Sequence, residues 1–311
     1  MKLIDAVCRY VAFKQSLGMR FGQSKRLKAF CRFAGNLDLA QVGPPTVRSF
    51  IEGTVQGRRS RDLRFSTLKG FYRYALARGL AVSSPLPLTR PRRPPDFVPY
   101  IYSREELQRL VNATDTLKSP QSRLQERTVR ALLLVLYGAA LRIGEALALT
   151  LADVDLEDQV LCIRDAKFYK TRLVPIGPHL AEHLAAYALQ RRRLPLPLGS
   201  HSAFFSTRTG RALTYWRVLR LFGRLRHRTG LYRPDRAQPR LHDIRHTAAV
   251  HRLVAWYRQG ADVQRLLPKL STYLGHASPV ATQRYLSMTP DLLQEASHRF
   301  QRYALPEVTH V

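Results

Sequence analysis

The sequence predicts a mainly α-helical protein of two domains, an all-helical N-terminal one and a second that is mostly α with a small β-hairpin sheet. Three observations predict it. Apolar residues recur at helical spacing along most of the 311 residues; the proline-rich stretch PLPLTRPRRPPDFVP (residues 85–99) breaks that pattern; and the period switches to strand-like alternation between residues 159 and 176. A hydrophobic content of 45% supports two buried cores and excludes disorder as the main state.

Taken in order, residues 4–17 read as a helix with Ile4, Val7, Val11 and Leu17 on its apolar side, and residues 23–34 as a second with Leu27, Phe30 and Phe33. Helices over 45–55 and roughly 60–79 follow, the last placing Leu63, Leu68, Phe71, Tyr72 and Ala75 inward. Arg58, Arg59, Arg61, Arg64 and Lys69 charge the rest of its surface. These elements make up a domain over residues 1–87, and residues 88–97 form a linker in which prolines forbid a helix while Arg90, Arg92 and Arg93 supply charge. The second domain, 98–311, opens with a capping box of Ser103 and Glu106. An apolar helix at 125–138 ends at Gly138 and another starts near Ile143. QVLCIR (159–164) and RLVPI (172–176) read as two strands joined by the polar AKFYKT. Helices then follow at about 178–193, 214–228, 241–257, 263–274, 279–287 and 291–304. Ser278 and Pro279 suit the start of the 279–287 helix, and Thr289 and Pro290 that of the last, which carries Leu292, Leu293, Ala296, Phe300 and Tyr303.

The charge decides the partner. A net charge of +29, from 51 Lys and Arg against 22 Asp and Glu, needs a polyanion, and nucleic acid is the first to consider. Residues 1–95 hold 19 basic and 4 acidic residues, a net +15, and the remainder +14, so the polyanion touches both domains. The sequence has neither an apolar run of membrane-spanning length nor a lipidation motif, and charges break up the apolar core of MKLIDAVCRYVAFKQ. Cys8, Cys31 and Cys162 read as reduced thiols of a cytoplasmic protein, nucleoid-associated when bound.

Four patches hold polar residues that folding alone does not require: Arg142 and Glu145 in GAALRIGEAL; Lys167 and Arg172 flanking the hairpin turn; His242, Arg245 and His246 in RLHDIRHTAAV; and His276 with Tyr285 in LGHASPVATQRYL. Read singly, each has a bland account: a surface salt bridge, edge-strand protection, a capping histidine, a packing tyrosine. A metal helix is disfavoured, since His242 and His246 lack the glutamate of an HExxH arrangement. Together they match one reaction. Attack on a phosphodiester needs a nucleophile, cations around the non-bridging oxygens and an acid for the leaving alkoxide, and protein cations can stand in for a metal. Arg142 and Arg245 suit the grip, Lys167 the acid, and Tyr285 the nucleophile, its phenol brought down in pKa by the cations and its proton shared with an adjacent histidine.

In these motifs the chain resembles the tyrosine recombinase (phage integrase) family along essentially its whole length. The family's first Arg falls on Arg142 in YGAALRIGEALALTLADVD, its hairpin Lys on Lys167, its HxxR box on His242 and Arg245, its LGH on His276 and its nucleophile on Tyr285, nine residues further on. The resemblance implies a SAM-like core-binding domain before the catalytic domain and a 3′-phosphotyrosine intermediate. It also implies that the two domains close around double-stranded DNA and that the synaptic complex is a homo-tetramer, with related recombinases as further partners. The reaction needs neither cofactor nor metal. The 31 residues from Arg245 to His276 resemble the recombinases of transposons and other mobile elements, implying integration or transposition. AKFYKT replaces the family's glycine-rich turn, which keeps Lys170 open as an alternative acid. DNA contacts are expected from Arg58, Arg59, Arg61, Arg64, Lys69, Arg92, Arg93, Lys170 and Arg172. A type IB topoisomerase-like enzyme and a non-catalytic accessory protein of the same fold are the alternatives.

Overall fold

A computed structural model describes residues 1–19, 21–53, 57–91, 98–118, 125–164, 171–232, 238–276, 278, 280–287, 292, 294–295 and 297. Lys167, Lys170, Arg92, Arg93, Leu293, Ala296, Phe300 and Tyr303 lie outside them. The chain divides into two compact units, Met1–Phe97 and Val98–Val311.

The first unit is built from α1 (Leu3–Ser16), α2 (Ser24–Ala34), α3 (Pro44–Glu52) and α4 (Arg58–Ala77). Its core is Leu3, Val7, Leu27, Phe30, Val47, Phe50, Phe65, Leu68 and Phe71. The apolar stripe of α1 differs from the expected one. Leu3, Ala6, Val7 and Tyr10 face inward, whereas Ile4 and Leu17 are exposed, as are Phe33 and Leu63 further on. One helical residue is 100° of rotation, so a stripe assigned one position late points at solvent. Pro44 opens α3 in its first turn, where a missing N–H costs nothing. Of the proline-rich segment, Arg90 is tied down: its guanidinium donates to Asp62 at 2.8 Å and to Ser66 at 3.1 Å on α4.

The second unit is also mainly helical. Helix α5 (Arg104–Asn112) starts at the expected capping box, where Ser103 Oγ accepts from the Glu106 N–H at 3.2 Å and the Glu106 carboxylate accepts from the Ser103 N–H at 2.8 Å. Helices α6 (Gln125–Gly138) and α7 (Ile143–Ala148) lead into an antiparallel sheet of three strands, β1 (Val154–Asp155), β2 (Val160–Ile163) and β3 (Arg172–Pro175). The sequence predicts two strands; β1, two residues long, is too short to show an alternation. Helices α8 (Pro178–Arg192), α9 (Tyr215–Arg228), α10 (Asp243–Arg258), α11 (Val263–Leu274) and α12 (Val280–Gln283) follow among the described residues, and most of the expected 291–304 helix lies outside them. The expected 279–287 helix is therefore one α turn followed by a tighter 3₁₀ turn, Arg284–Ser287.

Two apolar clusters stabilise this unit. One packs α6, the sheet, α8 and α9 around Leu132, Leu136, Leu161, Val174, Leu184, Phe205 and Leu225. The other packs α10 and α11 through Val250, Leu253, Leu267 and Leu274, and it takes in Tyr285 and Leu292. No described helix is long and apolar enough to cross a membrane.

Candidate active site

The element ends of the second unit converge. Arg142 is the N-cap of α7, His242 the N-cap of α10 with Arg245 in that helix's first turn, Arg172 the first residue of β3, and His276 follows the C-cap of α11. Helix ends leave backbone groups unpaired, and here side chains take them up.

Glu145 organises the cations. Its carboxylate accepts two hydrogen bonds from Arg172, at 2.8 and 3.1 Å, one from the Arg142 guanidinium at 2.7 Å and one from the Arg142 N–H at 3.0 Å, and Arg245 lies 3.8 Å away. Burial pulls this carboxyl up, but the hydrogen bonds and charge of Arg172 and Arg142 outweigh it and hold its pKa at about 2. One carboxylate among three guanidiniums leaves two positive charges in excess. Read as a surface pair in the sequence, Arg142 and Glu145 belong to a half-buried network.

The arginines are also anchored on main-chain carbonyls. Arg142 donates to Gly275 O at 2.8 Å, Arg172 to Tyr273 O at 3.3 Å, and Arg245 to Ala140 O at 2.7 Å and to Leu274 O. Three of these four oxygens belong to the C-terminal end of α11, whose partial negative charge suits cations. Ala140 adopts φ +49°, a left-handed conformation costing about 1 kcal/mol, and its carbonyl is the one Arg245 binds. Gly275 is a second forced position. Its φ is +63°, and a Cβ there would sit 2.7 Å from the Arg172 guanidinium.

Tyr285 lies against this cluster, only 3% exposed. A 3.0 Å hydrogen bond joins its Oη to His246 Nδ1. His276 stacks beside the phenol, ring centroids 6.1 Å apart and planes at 23°, while its Nδ1 is engaged by Thr282 Oγ1 at 2.7 Å. The histidine at the hydroxyl is thus His246, one helical step beyond Arg245. His242 is exposed and meets the His246 ring edge-on at 4.8 Å.

Burial dominates the electrostatics. It pushes the Tyr285 phenol up, and the opposing pull of Arg245 and Arg142 leaves it above its ordinary value. This corrects the expectation that the cations bring it down: loss of solvation outweighs them. Burial, then neighbouring positive charge, depresses His246 to about 3 and His276 to about 4, and His242, though solvent reaches it, is lowered as well by partial loss of solvation and by Arg245 and Arg240. They are neutral near pH 7. Arg245, 2% exposed, is lowered by burial to about 10 and stays charged.

Of the expected DNA contacts, Arg58, Arg59, Arg61 and Lys69 are exposed on α4. Arg64 and Arg172 are engaged within the fold, Arg64 donating to Phe50 O at 2.6 Å and lying over the Phe50 ring, Arg172 holding Glu145. A surface the sequence reading passed over is α9, which has no acidic residue and turns Tyr215, Trp216, Arg220 and Arg224 to solvent.

Comparison with known proteins agrees in both units. Residues 102–291 match the phage integrase family, and residues 24–79 match the family's N-terminal SAM-like domain. A putative integrase/recombinase, y4rB, of Sinorhizobium fredii is 34% identical over 305 residues, 96% of each chain. The tyrosine recombinase XerC of Chlorobaculum parvum is 35% identical over 252 residues, 76% of this chain and 71% of the relative. Two solved structures share the fold. A lambda integrase dimer bound to a core site has a TM-score of 0.63 at 20% identity, covering 90% of this chain and 96% of that one. The Tn1549 transposon integrase with a circular intermediate DNA has a TM-score of 0.69 at 14% identity, covering 96% and 99%.

Proposed function

The chain belongs to the phage integrase family, and on that premise we propose that it cuts and rejoins duplex DNA at specific sites, with Tyr285 attacking a phosphate to leave a 3′-phosphotyrosyl link and a free 5′ hydroxyl. The observation that carries this reading is the meeting of Arg142, Arg172, Arg245, His242, His246 and His276 around one buried phenol. Cations and hydrogen-bond donors gathered around a nucleophile suit a phosphodiester, and the two excess positive charges complement the negative charge on its equatorial oxygens.

In this reading Arg142, a third exposed, meets the phosphate first, while Arg245, fixed by Ala140 O and Leu274 O, stabilises the charge that builds up. His242 and His276, neutral, donate hydrogen bonds to its oxygens. Lys167, or else Lys170, protonates the leaving 5′ oxygen. Arg58, Arg59, Arg61 and Lys69 on α4, with Arg92 and Arg93, neutralise backbone phosphates, and the basic face of α9 adds to them. Two protomers act at each recombining site and four in the synapse, in the cytoplasm, where the enzyme moves or integrates a mobile element.

The decisive test uses a nicked duplex, cut from the DNA flanking this reading frame, that traps the covalent adduct. Wild type forms the adduct and Tyr285→Phe, which keeps the ring in its apolar cluster, forms none. An adduct from the Phe variant, or none from wild type, overturns the mechanism.

A further inference from the structure

We infer that His246 is a catalytic residue: its Nδ1 takes the proton from the Tyr285 hydroxyl as the phenolic oxygen attacks phosphorus, and returns it when the strand is rejoined. The inference rests on Tyr285 being the nucleophile and goes beyond it by naming the group that receives the proton.

Geometry carries it. His246 Nδ1 lies 3.0 Å from Oη, within the range for direct proton transfer, and the two side chains are brought together by α10 and the 3₁₀ turn Arg284–Ser287. His276 fills a different place, parallel to the phenol ring with its Nδ1 on Thr282. The role requires one direction of that bond: Oη donates and Nδ1 accepts. Nδ1 is then the bare nitrogen and Nε2 carries the hydrogen.

Proton transfer depends on the DNA. In the DNA-free protein His246 is a weak base, because of burial and because His242, Arg240, Arg245 and His276 face it with positive or potentially positive charge. A phosphate gripped by Arg142 and Arg245 brings negative charge to those groups and raises the basicity of His246 when the nucleophile is needed. The step balances: the O–H pair of Tyr285 becomes the new O–P bond, the proton goes to Nδ1, the P–O5′ bond breaks with its pair on O5′, and a separate acid protonates O5′. In the reverse direction a 5′ hydroxyl attacks phosphorus, giving its proton back to the conjugate base of that acid, while the P–O bond to Tyr285 breaks with its pair on the phenolic oxygen, which recovers its proton from His246.

Single-turnover adduct formation on nicked duplexes from the DNA flanking the reading frame tests this, with either oxygen or bridging sulfur at the 5′ leaving position. His246→Ala is expected to slow the reaction about 100-fold or more at pH 7, with the deficit shrinking as pH rises toward that of the free phenol. Sulfur, a leaving group that needs no acid, leaves the deficit in place. His246→Asn retains a hydrogen-bonding group near Nδ1 without a titratable nitrogen, and it behaves like the Ala variant. Near-wild-type rates in the Asn variant, a pH profile of the Ala variant parallel to wild type, or rescue by sulfur each overturn the role. Nitrogen-15 NMR of the unmodified full chain gives a reading independent of any variant: a neutral ring with hydrogen on Nε2 is expected, and hydrogen on Nδ1 rules the role out. If wild type yields no adduct while the ring has the expected tautomer, the fault lies with the nucleophile assignment.

Discussion

Glu145 shows how much one side chain decides in this site. Three guanidiniums brought together without it would repel one another by several kcal/mol in a half-buried place, and removing one partner of such a pair costs about 3–5 kcal/mol. The histidines add a pH signature to the same cluster. Their pKa values lie below the ordinary 6.5, His246 at about 3 and His276 at about 4, so the unfolded chain takes up protons that the folded one refuses. Stability is therefore complete above about pH 6.5 and falls as the pH drops toward those values, by at most about 1.4 kcal/mol per pH unit for each group and less where solvent reaches the ring. Urea denaturation of the full chain at pH 7, 6 and 5 should show this loss, and His246→Gln should lessen it by that one group's share. A stability independent of pH over that window contradicts the neutral state assigned to these rings. None of this is visible along the chain: Glu145 and His246 stand beside recognised motif residues, and only folding shows that they touch what those residues need.

Among the elements, α11 carries the most. Its C-terminal carbonyls receive Arg142, Arg172 and Arg245, and Gly275 turns the chain so that His276 departs toward the phenol. Gly275→Ala would place a methyl group in the left-handed region and against a guanidinium already held by Glu145. The expected cost is about 2 kcal/mol or more, read in urea denaturation, with a matching fall in adduct rate. Gly144→Ala is the control, since its Cβ would meet nothing within 4 Å and the helix gains propensity. Equal effects of the two substitutions would refute this account of α11. Elements with a long apolar period were legible in advance: α6, α9 and α11 begin and end within a residue or so of where the pattern puts them. Strand β1 was not, being shorter than one alternation, and the face of α1 was misjudged because Leu3 precedes the window in which its period becomes visible. The change from α to 3₁₀ geometry just before Tyr285 leaves no mark on composition at all.

For the whole molecule, the net charge of +29 is the property with the longest reach. With basic surface in both units, binding to DNA releases counterions in proportion to the phosphates neutralised, and raising salt from 50 to 200 mM should weaken it by about 10³-fold or more. Filter binding or anisotropy on any long duplex measures that slope. A slope near zero would mean that the charge serves something other than the phosphate backbone. The charge was plain in the sequence and so was the partner's class. Which cations stay free for that partner was not, since Arg64, Arg90 and Arg172 look the same in a string of letters as Arg58 and Arg61, and only folding commits them to Phe50, Asp62 and Glu145.

The carbonyl anchors of the arginines bear on how such a protein can drift. Every amino acid has the same carbonyl oxygen, so the groups that hold Arg142 and Arg245 at Ala140, Leu274 and Gly275 survive a change of side chain that leaves the backbone in place. A lineage can rewrite much of its surface, its core and its DNA preference while the reactive centre keeps its shape, because the mould is main chain, open to mutation chiefly where the backbone itself is constrained, as at Gly275.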